Sequence, residues 1–368
     1  MSTTKDENIR VLLVDDSPFV LAMLTRILAM PGTGVQVVGT AIDGAEALRK
    51  IPKLDPQVIC TDLQMPRMNG LEFTRNVMAN CPLPILVLSS AVDHGKTDDN
   101  SFKLLEAGAI DIMPKPKGNI SGNLAEIGKE LAEKIRLLSG VKTFTRHSNS
   151  HSKASSQNSD SSNVSASESQ VAESTTSTII PHTTRIIAIG ASTGGPYALN
   201  TILSKLPAQF SVPIVCFQHV SQGFTQDLVD WLDVACPLTV RVAKEGERLN
   251  AGTVYFPPDD KHLVFDAKRH VTTYISDPET GLHRPSITLG FNSIAQHYHA
   301  SAVGILLTGL GLDGADGLLN IRKAGGVTIT QDENSCVVFG MPKVAAEIGA
   351  AQHILPLEQI GKILENHI

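Results

Sequence analysis

The run RVLLVDDSPFVLAMLTRIL (residues 10–28) sets how the rest of the chain is read. Residues 11–14 are a short apolar run suited to a strand, Asp15 and Asp16 make an acidic turn, and residues 17–28 follow with helical periodicity. The same rhythm repeats to about residue 138, with strands expected at 35–39, 58–61, 84–89 and 109–113 and helices between them. Strands alternating with helices predict a parallel sheet covered by helices. Residues 1–139 are thus expected to form one doubly wound α/β domain.

From 140 to 184 the composition turns to Ser, Thr, Asn, Gln and Glu with almost no large apolar residues. Such a segment cannot offset the entropy of ordering, so a flexible linker is expected there. A second series of strands is expected at 185–189, 212–218, 239–242, 252–256, 302–308 and 326–330. Glycine-rich turns and helical stretches separate them, which makes residues 185–368 a second doubly wound α/β domain.

The 368 residues suit two domains of ordinary size. A net charge of −6 with no dense basic stretch argues against nucleic-acid binding. Residues 1–10 are polar and lack the apolar core of a secretory signal, and no apolar run is long enough to span a bilayer. Cys60, Cys81, Cys216, Cys236 and Cys336 are scattered without a CxxC pair, and read as reduced thiols packed as small hydrophobes in a cytoplasmic protein.

In the first domain Asp15 and Asp16 end the first expected strand and Asp62 ends the third, and strand ends of an open α/β sheet converge on the ligand crevice. Three carboxylates meeting there repel one another unless a hard cation such as Mg²⁺ sits among them. Lys115, before Pro116, adds a cation able to contact a phosphoryl oxygen, and Ser89 offers a hydroxyl. Each of these alone reads equally well as a solvated loop residue.

In the second domain IIAIGASTGGP (186–196) places Gly190-Ala191-Ser192-Thr193-Gly194 between a strand and a helix, the G-x-S-x-G arrangement of a nucleophile elbow. Backbone N–H groups at the following helix start can stabilise an oxyanion. Of the twelve histidines, His219 is best placed as base, at the end of the strand 212–218. His297 and His299 lie two apart in a helical stretch, face apart, and read as surface residues. Asp313 in ILLTGLGLDGADG (305–317) is suitably placed to orient the imidazole, in a chain order unlike that of the α/β-hydrolases. The same segment contains GLGLDG, a literal G-x-G-x-x-G, and Asp332 and Glu333 follow at about the spacing of a ribose-binding acid. From these residues alone a serine hydrolase and an NAD-dependent oxidoreductase both stand.

Asp15-Asp16, DLQMPRMNG (62–70), Ser89 and Lys115-Pro116 together resemble the response-regulator receivers, which have a flavodoxin-like fold. GASTGGP, QHVSQGFT (218–225), HRPSI (283–287), TGLGLDGADG and AGGVTITQDENSCVVFGMP (324–342) resemble the chemotaxis protein-glutamate methylesterases of the CheB type, whose catalytic domain is Rossmann-like. The first resemblance implies phosphorylation of Asp62 by a chemotaxis histidine kinase, Mg²⁺ held by Asp15, Asp16, Asp62 and the Gln64 carbonyl, and Ser89 and Lys115 as sensors of the phosphoryl group. The second implies a Ser192–His219–Asp313 triad, without a cofactor, that demethylates glutamate methyl esters and deamidates certain glutamines on the helices of methyl-accepting chemotaxis receptors. It implies a cytoplasmic protein recruited to receptor arrays, not inserted in the membrane. Val220-Ser221-Gln222 replaces the usual Met-Pro-Pro, and Leu310 and Leu312 stand where Met and Asn are usual. A non-hydrolytic adaptor that binds receptors remains a third reading, opposed by the presence of Ser, His and Asp together.

Overall fold

The structure is a computed structural model describing residues 8–89, 102–116, 124–141, 179–276 and 283–366. Most of the expected linker, 142–178, lies outside the described residues.

The first domain holds strands β1 (Ile9–Val14), β2 (Val35–Ala41), β3 (Val58–Asp62), β4 (Ile85–Ser89) and β5 (Asp111–Pro114) in one parallel sheet of order 2-1-3-4-5. Its helices are α1 (Pro18–Leu28), α2 (Gly44–Leu54), α3 (Gly70–Asn80), α4 (Lys103–Ala107) and α5 (Leu124–Ser139). Every residue of β3 and β4 is buried, because helices cover both faces, and this is why these strands read as continuous apolar runs. The side chains of Ser17, Asp43 and Asn69 accept N–H bonds from the first turns of α1, α2 and α3 and fix where each helix begins. The chain leaves β1 for β2 on one side and returns to β3 on the other, so loops diverge between β1 and β3 and open a crevice at their ends.

The second domain repeats the plan on a larger scale. In chain order it holds β6 (Ile186–Ala191), β7 (Ile214–Gln218), β8 (Thr239–Val242), β9 (Thr253–Phe256), β10 (His262–Phe265), β11 (Val271–Tyr274), β12 (Ala302–Leu306), β13 (Val327–Gln331) and β14 (His353–Leu355). Seven of these form a parallel sheet of order 14-13-12-6-7-9-8. The helices are α6 (Gly195–Leu203), α7 (Thr225–Ala235), α8 (Ile287–Tyr298), α9 (Ala315–Lys323), α10 (Met341–Glu347) and α11 (Leu357–Glu365). Here the switch point lies between β6 and β12. The antiparallel pair β10–β11 and the short edge strand β14 were not expected, since three or four residues carry too little periodicity to stand out. The fifth strand, expected at 109–113, runs instead over Asp111–Pro114, and the ladders of β4 and β7 begin after Pro84 and Pro213, whose rings carry no N–H to donate.

Ordered packing of this domain begins ahead of β6, with Ile180 buried in its core and Thr184 Oγ1 donating to the Pro181 carbonyl at 2.7 Å. The five cysteines are free thiols; Cys60, Cys216 and Cys236 are buried, and burial pushes Cys60 up to about 12. Among the described residues no helix is long and apolar enough to cross a membrane.

Among the described residues the domains meet around α4 and along α5. Phe102, just before α4, stacks on Trp231 of α7 with ring centroids 5.6 Å apart, and Trp231 Nε1 donates to Glu106 Oε1 at 2.8 Å. Helix α5 faces the carboxyl ends of β6 and β7 across a cavity of about 300 Å³. Trp231 is the sole tryptophan and only 3% exposed, which makes it a reporter of domain contact. Phe102→Ala should shift its emission to the red and lower stability by roughly 3 kcal/mol, the usual scale for removing a buried ring; unchanged emission would show that the contact does not govern docking.

Candidate active site

Ser192 follows β6 on a tight turn: its N–H donates to the Thr308 carbonyl at 3.0 Å, and its own carbonyl accepts from Gly195 N at 2.7 Å. Gly194 closes the turn with φ +77°, in the left-handed region, and a Cβ there would lie 2.7 Å from Val337 Cβ. Gly309 approaches so closely that its Cβ would stand 2.6 Å from that of Ser192. Gly309 therefore brings backbone against the Ser192 side chain.

His219 follows β7, the neighbour of β6, and its N–H donates to the Ala191 carbonyl at 3.0 Å. Buried Gln218 ties the two loops together, its Nε2 donating to the carbonyls of Ser192 at 2.9 Å and His219 at 2.8 Å. His219 Nε2 lies 2.9 Å from Asp313 Oδ2, which leaves Nδ1 as the ring atom open to a proton. Ser192 and His219 line one cavity; among the described residues no hydrogen bond joins them, as is common in apo geometry.

Asp313 follows β12 and is held from a second direction. Its carboxylate accepts from Ile287 N at 2.8 Å, Thr288 N at 2.9 Å and Ser286 Oγ at 3.2 Å, all at the start of α8. Gly314 N donates to Thr288 Oγ1 at 2.7 Å and closes the loop. Burial pushes the Asp313 carboxyl up, but hydrogen bonds and charge from His219 and donors from Thr288 outweigh it and hold it well below the usual carboxylate range. Behind it the fully buried His262 accepts Ser286 N–H at its Nδ1, 3.1 Å away. Burial, then the charge of Arg284, pulls the His262 pKa down. His283 lies over His219 with ring centroids 4.6 Å apart.

Ser192, His219 and Asp313 are thus brought together. Sequence reasoning missed Gln218, His262 and Ser286, and did not use His283. The neighbouring Q-H and H-R-P-S pairs were the available signal. The N–H groups of Thr193, Leu310 and Gly311, residues that line the same opening, have no protein acceptor among the described residues. Leu310 and Leu312 are 44% and 64% exposed beside it. His297 and His299 take no part in any metal-binding group found among the described residues. Within GLGLDG, Asp313 is engaged as above, and of the two acids of the dinucleotide reading Asp332 accepts from Ser335 N at 3.1 Å and Ser335 Oγ at 2.5 Å. That reading finds no support.

In the first domain Asp15, Asp16 and Asp62 place ligand oxygens within 4.8 Å of one another. Lys115 Nζ sits 2.7 Å from both Asp15 Oδ2 and Asp62 Oδ2. Burial pushes the Asp62 carboxyl above its ordinary value, outweighing the ammonium beside it. Hard oxygen donors carrying more negative charge than Lys115 neutralises fit a divalent cation such as Mg²⁺. Ser89 is buried at the end of β4, where its carbonyl accepts Lys115 N–H at 2.8 Å, and Gln64 is exposed on the loop after β3.

Residues 187–364 match the family described as CheB methylesterase, and residues 11–121 match the response regulator receiver domain. A protein-glutamate methylesterase/protein-glutamine glutaminase of Geobacter metallireducens is 38% identical over 96% of this chain and 96% of its own length. One from Vibrio vulnificus is 38% identical, covering 97% and 98%. The crystal structure of the Thermotoga maritima CheB methylesterase catalytic domain is 38% identical, covers 50% of this chain and 99% of that one, and gives a TM-score of 0.48.

Asp313→Asn tests the acid's double attachment. An amide cannot accept from His219 and from the α8 N–H groups as a carboxylate does, so turnover should fall by about 10⁴-fold. Stability should fall by roughly 2 kcal/mol as charge-assisted bonds are lost. A thermal melt unchanged beside a large loss of rate would show that the helix contact is dispensable.

Proposed function

The chain belongs to the CheB methylesterase family, and we propose that Ser192, His219 and Asp313 are the catalytic triad of its hydrolase activity. It is a CheB-type methylesterase and glutaminase with a receiver domain. The observation that carries the residue roles is the 2.9 Å His219–Asp313 pair opening onto the cavity that Ser192 lines. Substrates are glutamate methyl esters and certain glutamines on methyl-accepting chemotaxis receptors.

Ser192 Oγ attacks the side-chain carbonyl as His219 Nδ1 takes its proton, forming a C–O bond and a tetrahedral oxyanion. The unpartnered N–H groups round the opening, with Leu310 and Thr193 foremost, receive that charge. Collapse breaks the bond to the leaving group, which departs with the proton from His219 as methanol or ammonia. Water, deprotonated by His219, then splits the acyl-enzyme and frees the glutamate. Asp313, fixed as a carboxylate by α8, orients the imidazole and stabilises its cation.

For the first domain the proposal is that a chemotaxis histidine kinase phosphorylates Asp62, with Mg²⁺ held by Asp15, Asp16, Asp62 and the Gln64 carbonyl. The cation, when bound, offsets charge on the incoming phosphoryl group. Lys115, now bridging Asp15 and Asp62, and Ser89 re-pair with the phosphoryl oxygens, and the rearrangement shifts a two-state docking equilibrium. Because α5 stands across the active site, undocking admits substrate. The protein works in the cytoplasm, recruited to receptor arrays, without nucleic acid and without inserting in the membrane.

Ser192→Ala should cut methanol release from methylated receptor membranes by roughly 10⁶-fold with the fold intact; near wild-type release would sink the serine mechanism. Residues 179–368 alone should hydrolyse faster than the unphosphorylated full chain, and Asp62→Asn should stay at basal rate when phosphodonor and Mg²⁺ are supplied. A fragment no faster than the full chain would rule out occlusion.

A further inference from the structure

Ser192 and Thr193 carry four backbone polar groups, and three of them are held. Ser192 N–H donates to the Thr308 carbonyl at 3.0 Å, and the Thr193 carbonyl accepts from Thr308 Oγ1 at 3.0 Å. The Ser192 carbonyl accepts twice, from Gly195 N at 2.7 Å and from Gln218 Nε2 at 2.9 Å. The fourth group, Thr193 N–H, has no protein acceptor among the described residues, and Thr193 lines the catalytic opening. It shares a peptide bond with the Ser192 carbonyl, and across a trans peptide N–H and C=O point in opposite directions. The donors that hold the Ser192 carbonyl therefore set where the Thr193 N–H points.

One of those donors is a buried side chain. Gln218 is 3% exposed, and the same Nε2 donates to the His219 carbonyl at 2.8 Å. Carbonyls cannot donate, so two of them at one amide atom identify it as the nitrogen. Gln218 Oε1 is left buried without a partner among the described residues, which lowers stability. Gly195 makes the room for it, since a Cβ there would collide with Oε1. An apolar side chain of equal length would fill that space with no orphaned oxygen, so packing does not account for a glutamine. We infer that Gln218 is a positioning residue for the oxyanion, its two N–H bonds holding the Ser192–Thr193 peptide so that Thr193 N–H meets the charge of the tetrahedral intermediate. It touches no reacting atom and acts through that N–H. The inference rests on the hydrolase reading above and adds what aims one of its donors. A donor that tightens only as charge develops speeds turnover without tightening substrate binding, so its loss falls on kcat and spares KM.

Gln218→Met keeps the length of the side chain and removes both donors. In the full-length protein, Ser192 labelled to completion with a fluorophosphonate counts the active sites, and methanol release from methylated receptor membranes gives the rate. Losing a whole oxyanion donor costs roughly 10²–10³-fold in kcat; a misaimed N–H keeps part of its bond, so kcat per labelled site should fall about 30-fold with KM changed less than about twofold. The pH profile of kcat should keep its shape, because the Asp313–His219 pair is untouched. A residue that served stability alone would lower the melting temperature and the number of labelled sites, yet leave kcat per site as in wild type. Gly195→Ala, which displaces the amide without removing it, should also lower kcat per site, and it carries the test if Gln218→Met does not fold. Unchanged kcat per labelled site, or a loss seen only in KM, would overturn the inference. Wild-type protein that releases no methanol would instead overturn the hydrolase reading, and this inference with it.

Discussion

The Asp313 carboxylate is the point to which the catalytic half of the molecule is pinned. It stands at the end of β12 yet caps α8, taking N–H bonds from Ile287 and Thr288 and a hydroxyl from Ser286, while its remaining reach goes to His219. The partial positive charge at a helix start favours an anion there, and each such bond is stronger for being charge-assisted. An acid so fully solvated by protein is a poor base, which under the proposed mechanism suits it to steering the imidazole and balancing its charge without taking its proton. Three segments distant in sequence thereby acquire one fixed geometry. The buried His262, held as an acceptor for Ser286 N–H, secures the cap from behind.

Both centres sit where a doubly wound sheet changes direction. Asp15, Asp16 and Asp62 meet across β1 and β3, and Ser192, His219 and Asp313 meet across β6, β7 and β12. Main-chain direction alone carries these residues to a common mouth. What remains is local adjustment: Gln218 binds the Ser192 and His219 carbonyls with one amide, and Gly309 lets the next loop close against the serine.

This explains what could be read in advance. Strands buried on both faces announce themselves as apolar runs, and the charged or nucleophilic residue that breaks each run marks its end; that reasoning reached Ser192, His219 and Asp313, which the structure brings together, and the acidic cluster. It missed what depends on contacts far apart in sequence. Nothing in HLVF identifies a hairpin strand whose histidine supports a cap, and nothing in Glu130, Glu133 and Lys134 distinguishes a helix face that lines the catalytic cavity from a solvated one. GLGLDG misled for the opposite reason: glycine spacing describes a close turn, but only the neighbours of Asp313 reveal that the turn serves an imidazole rather than a pyrophosphate.

Helix α5, buried on one side in the first domain's core and lining the catalytic cavity with the other, also limits how freely the halves can be exchanged. A swap made in the linker would import a foreign α5 whose inner face suits its own sheet and whose outer face was shaped for another enzyme's rim. Glu130, Glu133, Lys134 and Leu137 therefore face the hydrolase although the first domain contains them. The seam along which this protein is modular runs lengthwise through a single helix.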